Sequence, residues 1–222
     1  MKVEQKNIEK LVDEMIQNIE DDFDRMGRIV NNPKVLDRYL IASTLKAMRF
    51  VDAIKVLCKE GFTDESLPIL RSLIEHSINM RWILNKDTEE RLKKYMNDLS
   101  NKGFGEPWAG KDLFSRMEEL GFNRDYYDFC VKPTYSYSHV NSSSLSWGEV
   151  YSHPQLKNER FKPDAIFQVV AQMLGHVMKS LNSRFNYFKD YDKFWKQIKV
   201  DKDVRKKVEQ ALKEINSLKE EL

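Results

Sequence analysis

An all-α fold, a multi-helix bundle of largely antiparallel helices with no sheet, is what this sequence predicts, and three observations predict it. Apolar residues recur at three- and four-residue steps over most of the chain. Capping residues stand where that periodicity breaks, and no stretch keeps the two-residue period of a strand. Glycine and proline number only 8 and 6 among 222 residues, too few for the many tight turns of a β fold. About seven to nine helices are expected, in a single domain spanning 1–222 whose segment 189–222 serves as a C-terminal docking helix.

The first helix is expected from about Val3 to Val30, with Ile8, Leu11, Val12, Met15, Ile16, Ile19, Phe23, Met26 and Val30 on one stripe. "NNP" then stops and restarts the chain, with Asn32 as N-cap and Pro33 at the first helical position. A second helix carries Leu36, Leu40, Leu45, Met48, Val51 and Ile54 toward Gly61, a natural C-terminal cap. The third contains "PILRSLIEHSINMRWIL"; with Ser66 as its N-cap, Pro68 falls in the first turn, where a missing N–H costs nothing. A start at Thr63 or Asp64 would instead make Pro68 distort it. "TEERLKKYMNDL" forms a fourth helix with Leu92, Tyr95, Met96 and Leu99 on one side, followed by the loop Asn101 to Lys111. "KDLFSRMEELG" makes a short helix ending at Gly121, and "DYYDFCVKPTYSYSHV" reads as helix, proline turn, helix. Asn141 to Pro163 is the long irregular segment. Pro163 to Phe188 and about Asp201 to Leu222 are the last two helices, the latter with heptad-like spacing.

Composition bounds the function. With 37 basic and 35 acidic side chains the net charge is +2, so no whole-protein field steers the chain to nucleic acid or to a membrane surface. Cys58 and Cys130 each sit in an apolar helical pattern and are expected as buried thiols. The N-terminal stretch lacks a signal-type apolar core, and no run approaches the roughly 18 apolar residues of a span, so a cytoplasmic location and no membrane partner are expected. Phosphate loops, CxxC, HExxH, Glu-x-x-His pairs and a G-x-S-x-G elbow are all missing. No two of His76, His139, His153 and His176 stand three or four residues apart, so neither a metal site nor a cofactor is expected.

Two polar clusters in apolar settings remain. The first is Arg71, Glu75, His76 and Asn79 on the third helix. At about 100° per residue Arg71 and Glu75 share a face, while His76 lies about 140° round from Arg71. One reading is an Arg–Glu pair that fastens the helix to a neighbour, although Arg before Glu is the weaker order for local support. The other reading is a site. The second cluster is Tyr135, Ser138, His139 and Asn141 in "TYSYSHVNSSS", either hydroxyls capping a helix end or the other wall of that site. A fixed network joining Arg71 and Glu75 to Tyr135, Ser138 and His139 is the expectation, since each group supplies what another lacks.

"LPILRSLIEHSINMRWIL" followed about sixty residues later by "YSYSHVNSSS" resembles an uncharacterised bacterial family of unknown function, with an Arg-x-x-x-Glu helix and a later Tyr-x-x-Ser-His element. The resemblance covers roughly Leu36 to Phe188 and implies a helical bacterial cytosolic protein without assigning an activity. "RSLIEH" also resembles the Arg-x4-His pattern of HEPN domains, helical proteins of toxin and anti-phage systems, many of them metal-independent ribonucleases. That resemblance implies an endoribonuclease with Arg71, His76 and His139 as catalytic residues, and RNA as substrate. Glu75, Asn79, Tyr135, Ser138 and Asn141 would then line the ligand site. The alternative is a non-enzymatic interaction or scaffold module that dimerises or binds a partner protein. The first and last helices both carry narrow apolar stripes, which makes a homodimer the expected assembly.

Overall fold

The computed structural model describes residues 8–27, 33–101, 111–134 and 162–185, and all regular structure within them is helical. The expected elements at 135–161 and 189–222 lie outside these residues. In chain order the helices are α1 (Ile8–Gly27), α2 (Val35–Lys59), a 3-10 turn (Asp64–Ser66), α3 (Leu67–Asn85), α4 (Thr88–Asn101), α5 (Leu113–Glu119), α6 (Arg124–Cys130) and α7 (Pro163–Phe185).

α7 sits at the centre because every residue from Ile166 to Met178 is buried, so it has no solvent face to present. α3, α1 and α2 pack around it, and α2 also packs on α3. Contacts between the helices set their directions. Cys58 near the end of α2 meets Ser66 at the start of α3, and Ser43 earlier in α2 meets His76 later in α3, so these two run antiparallel. Leu67 and Leu70 line a small apolar cavity with Ile166 and Val169, while Arg81 meets His176 further along, so α3 and α7 run parallel. The start of α2 is tied to the end of α7 by Asp37 and Arg184, 2.7 Å apart. α1 buries Leu11, Val12, Met15 and Ile19 against this frame, the stripe its periodicity predicts.

Several caps are those expected. Gly61 and Gly121 adopt φ of +83° and +84°, the left-handed conformation that ends a helix at least cost for glycine. Pro68 lies in the first turn of α3, with Ser66 closing the 3-10 turn through a 2.6 Å bond to the Thr63 carbonyl. Asp112 and Asn123 cap α5 and α6 by accepting from Ser115 N and Tyr126 N.

Three expectations are corrected. α2 begins at Val35 rather than at Pro33, because the Asp37 carboxylate accepts the Lys34 N–H at 2.9 Å and makes Lys34 the cap residue. Leu45 and Met96 are 48% and 44% exposed rather than in the stripes of α2 and α4. Buried Ser43 and Thr44 take the inner face of α2 in place of Leu45, with Thr44 bonded back to the Leu40 carbonyl. On α4 the inner face is Arg91, Leu92 and Tyr95. Both cysteines are free and buried, as expected. Among the described residues, no helix is long and apolar enough to cross a membrane.

Candidate functional site

α3 turns one apolar flank to α7 and another to α2, which leaves the line Arg71, Glu75, Asn79 directed at the short helices α4 and α5. Four-residue spacing places the three one turn apart. Arg71 donates through both Nε and Nη2 to the single oxygen Oε1 of Glu75, each at 2.7 Å. Arg71 is the more enclosed partner, with 12% of its side chain exposed against 39% for Glu75, so the pair meets water on the carboxylate side.

α5 brings a second guanidinium. Arg116 is 4% exposed, and burial holds its pKa below the ordinary guanidinium range; Glu75 is the carboxylate that most opposes this shift, while Arg71 reinforces it. The position of α5 is fixed by a clasp at the far end of α3. Glu119 accepts from Arg91 Nη2 at 2.8 Å and from Trp82 Nε1 at 2.9 Å. The Arg91 guanidinium also donates to the Trp82 carbonyl and lies 3.9 Å over its ring. Two tyrosines complete the cluster. Tyr39 of α2 and Tyr95 of α4 meet edge to face with ring centroids 5.4 Å apart, and burial raises the pKa of both.

This cluster is incompletely bonded. Tyr39 Oη, Asn79 Oδ1 and Arg116 Nε are buried atoms without a hydrogen-bond partner among the described residues. Buried polar atoms are paired in the great majority of cases, so three orphans in one cluster mark it out.

Of the residues singled out by sequence, Arg71, Glu75 and Asn79 come together here. His76 does not join their face. Its Nε2 lies 2.8 Å from the Ser43 carbonyl of α2, and because a carbonyl only accepts, that nitrogen carries the proton. Burial lowers the His76 pKa, against the opposing effect of that hydrogen bond, and Phe50 packs edge-on to the ring. Tyr135, Ser138, His139 and Asn141 lie outside the described residues, and so does the network expected to join them to Arg71 and Glu75.

Sequence reasoning missed Arg116, whose signal was readable: it stands among Leu113 and Met117 on the inner face of an amphipathic turn. It also missed a second polar network on α7. Gln168, Gln172, His176 and Ser180 recur every fourth residue inside an otherwise apolar helix, all buried. Arg81 donates from Nη1 to His176 Nδ1 at 3.1 Å, which leaves the ring proton on Nε2, facing Tyr126 Oη at 3.5 Å. Tyr126 in turn donates to Gln172 Oε1 at 2.8 Å. Burial, helped by the positive charges of Arg81 and Lys179, holds His176 well below the usual histidine range, and burial pushes the Cys130 thiol up to about 12. Burial keeps the His176 imidazole and the Cys130 thiol of this network neutral, the opposite of what a proton-transfer site needs. Among the described residues no group of His, Cys, Asp and Glu is arranged to hold a metal ion.

No curated protein and no solved structure matches this chain. Residues 37–106 match a family described as of unknown function, DUF5677. The match starts next to the expected Leu36 but stops short of the Tyr135–His139 element, and of the residues assembled here it contains Tyr39, Arg71, Glu75, Asn79 and Tyr95 but not Arg116. The stretch that carries the Arg-x-x-x-Glu helix therefore lies within a match to a family of unknown function, in line with its resemblance.

Proposed function

We propose that the protein binds RNA through the polar stripe of α3, with Arg71 as a phosphate contact. The observation that carries this reading is a local excess of positive charge. Two enclosed guanidiniums, Arg71 and Arg116, lie in the field of the Glu75 carboxylate, with Asp112 acting more weakly on Arg116, in a chain whose net charge is only +2. A guanidinium held in a fixed plane is well suited to a phosphodiester. The HEPN resemblance adds metal-independent cleavage, with Arg71 stabilising charge on the scissile phosphate and His139 and His76 moving protons. His76 would then have to release the Ser43 carbonyl before serving. In this reading the protein is a cytoplasmic bacterial homodimer of a toxin or anti-phage system, and Tyr135, Ser138 and Asn141 line the path of the RNA.

The test is a labelled RNA incubated with the full chain in the presence of a chelator. Binding and cleavage are expected for the wild type, with cleavage lost in folded Arg71→Ala and His139→Ala. Wild-type affinity in Arg71→Ala would refute the RNA reading. Binding without cleavage would favour the second reading, a non-enzymatic interaction module. Leu45 and Val56 favour that second reading, since they are exposed and share the outer face of α2, a surface suited to a second copy or a partner protein.

A further inference from the structure

Apolar surface is left over on one helix. Of the five large hydrophobic side chains that stand exposed among the described residues, Val35, Leu45 and Val56 lie on α2, and Phe62 follows the glycine that ends it. At about 100° per residue the three on α2 fall within an arc of roughly 80°. Exposed Arg38, Ala42 and Arg49 lie within the same arc, with exposed Asp52 at its edge. The residues repeat by sevens, Val35, Ala42, Arg49 and Val56 in one row and Arg38, Leu45 and Asp52 three positions on, which is the spacing of a seam between two helices. The other sides of α2 are packed on α3 and α7, so this seam is what the helix turns outward.

The order of residues along the seam selects its occupant. A two-fold axis through Leu45, perpendicular to the helix, brings a second α2 antiparallel to the first and sets residues equally far before and after Leu45 opposite one another. Leu45 then meets the partner's Leu45. Arg38 and Asp52 stand seven residues to either side, so each guanidinium faces the other copy's carboxylate, twice over. Val35 and Val56 stand ten and eleven residues to either side and meet as apolar pairs, while Arg49 falls opposite Ala42, which leaves room for its stem. Arg38 and Asp52 make no hydrogen bond or ion pair with the described residues, so both are available. A parallel pairing would instead set Arg38 on Arg38, Arg49 on Arg49 and Asp52 on Asp52, like charge on like. An unrelated partner requires no such symmetry about a single leucine.

We propose that the outer face of α2 is an isologous dimer interface, on which a second copy of this chain packs antiparallel about Leu45. The proposal deepens the homodimer of the proposed function by naming its face, and it does not require RNA. Overlap from Val35 to Val56 spans about 32 Å of helix and buries on the order of 1,000 Å² in total, the low end for specific interfaces. The dimer should therefore dissociate in the micromolar range.

Sedimentation equilibrium of the full chain across the micromolar range tests it. The mass should move with concentration from 26.3 kDa toward twice that value. Leu45→Glu sets two carboxylates on the axis and should hold the mass at 26.3 kDa throughout, with the thermal midpoint of the dilute wild type. Arg38→Glu and Asp52→Arg each turn two attractions into two repulsions and should each weaken the dimer about tenfold. Combined in one chain, the two changes restore the pairs and should return the affinity close to that of the wild type. Mixing the two single variants should give a heterodimer tighter than either homodimer. A wild type that stays at 26.3 kDa at every concentration, a dimer undiminished in Leu45→Glu, or a double variant no tighter than the single ones would each overturn the proposal. If the wild type is such a monomer, Leu45→Glu names the other occupant: a lowered midpoint means that a segment of the same chain covers the face, and an unchanged one leaves it to a different protein. Dimerisation without RNA binding keeps this interface and removes RNA as the ligand; RNA binding by a chain that stays monomeric does the reverse.

Discussion

On α3, Arg71, Glu75 and Asn79 climb one turn apart, and on α7 Gln168, Gln172, His176 and Ser180 do the same, yet the two stripes differ in charge and in their access to water. The α7 stripe is uncharged and lies 1–6% exposed. Its members bond to one another and to their neighbours, Tyr126 to Gln172, Arg81 to His176, and Ser180 back to the His176 carbonyl at 2.9 Å, and only Gln172 Nε2 is left without a partner among the described residues. The α3 stripe is charged, reaches water at Glu75, and leaves bonding capacity over at Asn79, Tyr39 and Arg116. Neutral groups can be satisfied by a hydroxyl or a carbonyl that any helix carries, whereas a buried guanidinium needs a carboxylate nearby, and Glu75 serves Arg71 directly and Arg116 through its field. The comparison teaches that a polar stripe is marked as a site less by burial or by a single orphaned atom than by charge held at the edge of water.

The sharpest way to break the comparison is to remove the one carboxylate. Glu75→Ala removes the carboxylate that bonds Arg71 and most favours the charge on Arg116. With Glu75 partly in water, we expect a loss of about 2–3 kcal/mol, below the range for a fully buried pair. Urea unfolding at neutral pH reads it, and a midpoint within error of wild type would mean that the α3 stripe is not electrostatically coupled.

The next effect belongs to α7. His176 has a native pKa well below the ordinary 6.5 that it recovers on unfolding. Between those two values the unfolded chain binds a proton that the folded chain refuses, so stability is complete above the unfolded value and declines as pH falls through this window. Lowering the pH below about 6.5 should therefore cost stability, with a slope of at most about 1.4 kcal/mol per pH unit per group. His76, also lowered by burial, adds a loss of the same sign. Asp37 and Asp112 are lowered from 3.8, so their losses fall at more acidic pH. Urea midpoints across this range should flatten in His176→Gln, keeping the part due to His76; an unchanged slope would show that His176 takes up its proton in the folded state.

The smallest effect compares one hydroxyl from each stripe's surroundings. Tyr126→Phe removes the 2.8 Å bond to Gln172 and should cost about 1 kcal/mol, with its stacking on Phe122 retained at 4.8 Å between centroids. Tyr39→Phe removes a hydroxyl with no hydrogen-bond partner among the described residues and should be neutral or slightly stabilising. Equal losses in thermal unfolding would contradict the difference drawn between the two stripes.

Sequence alone determined the elements and the polarity of α3. Periodicity located the helices, Gly61 and Gly121 ended two of them, and the charges inside an apolar run set Arg71, Glu75 and Asn79 apart, because helical spacing is a property of the local chain. The same geometry separated Arg71 from His76 by about 140°, a separation that the structure resolves into different partners on different helices. Tertiary structure alone decided which faces meet. That α3 runs parallel to α7, that Arg81 finds His176 ninety-five residues away, and that α5 delivers Arg116 beside Glu75 depend on how the helices are stacked. A helix's periodicity states which side chains share a face, but the identity of the face opposite is fixed only when burial of all the stripes is satisfied at once.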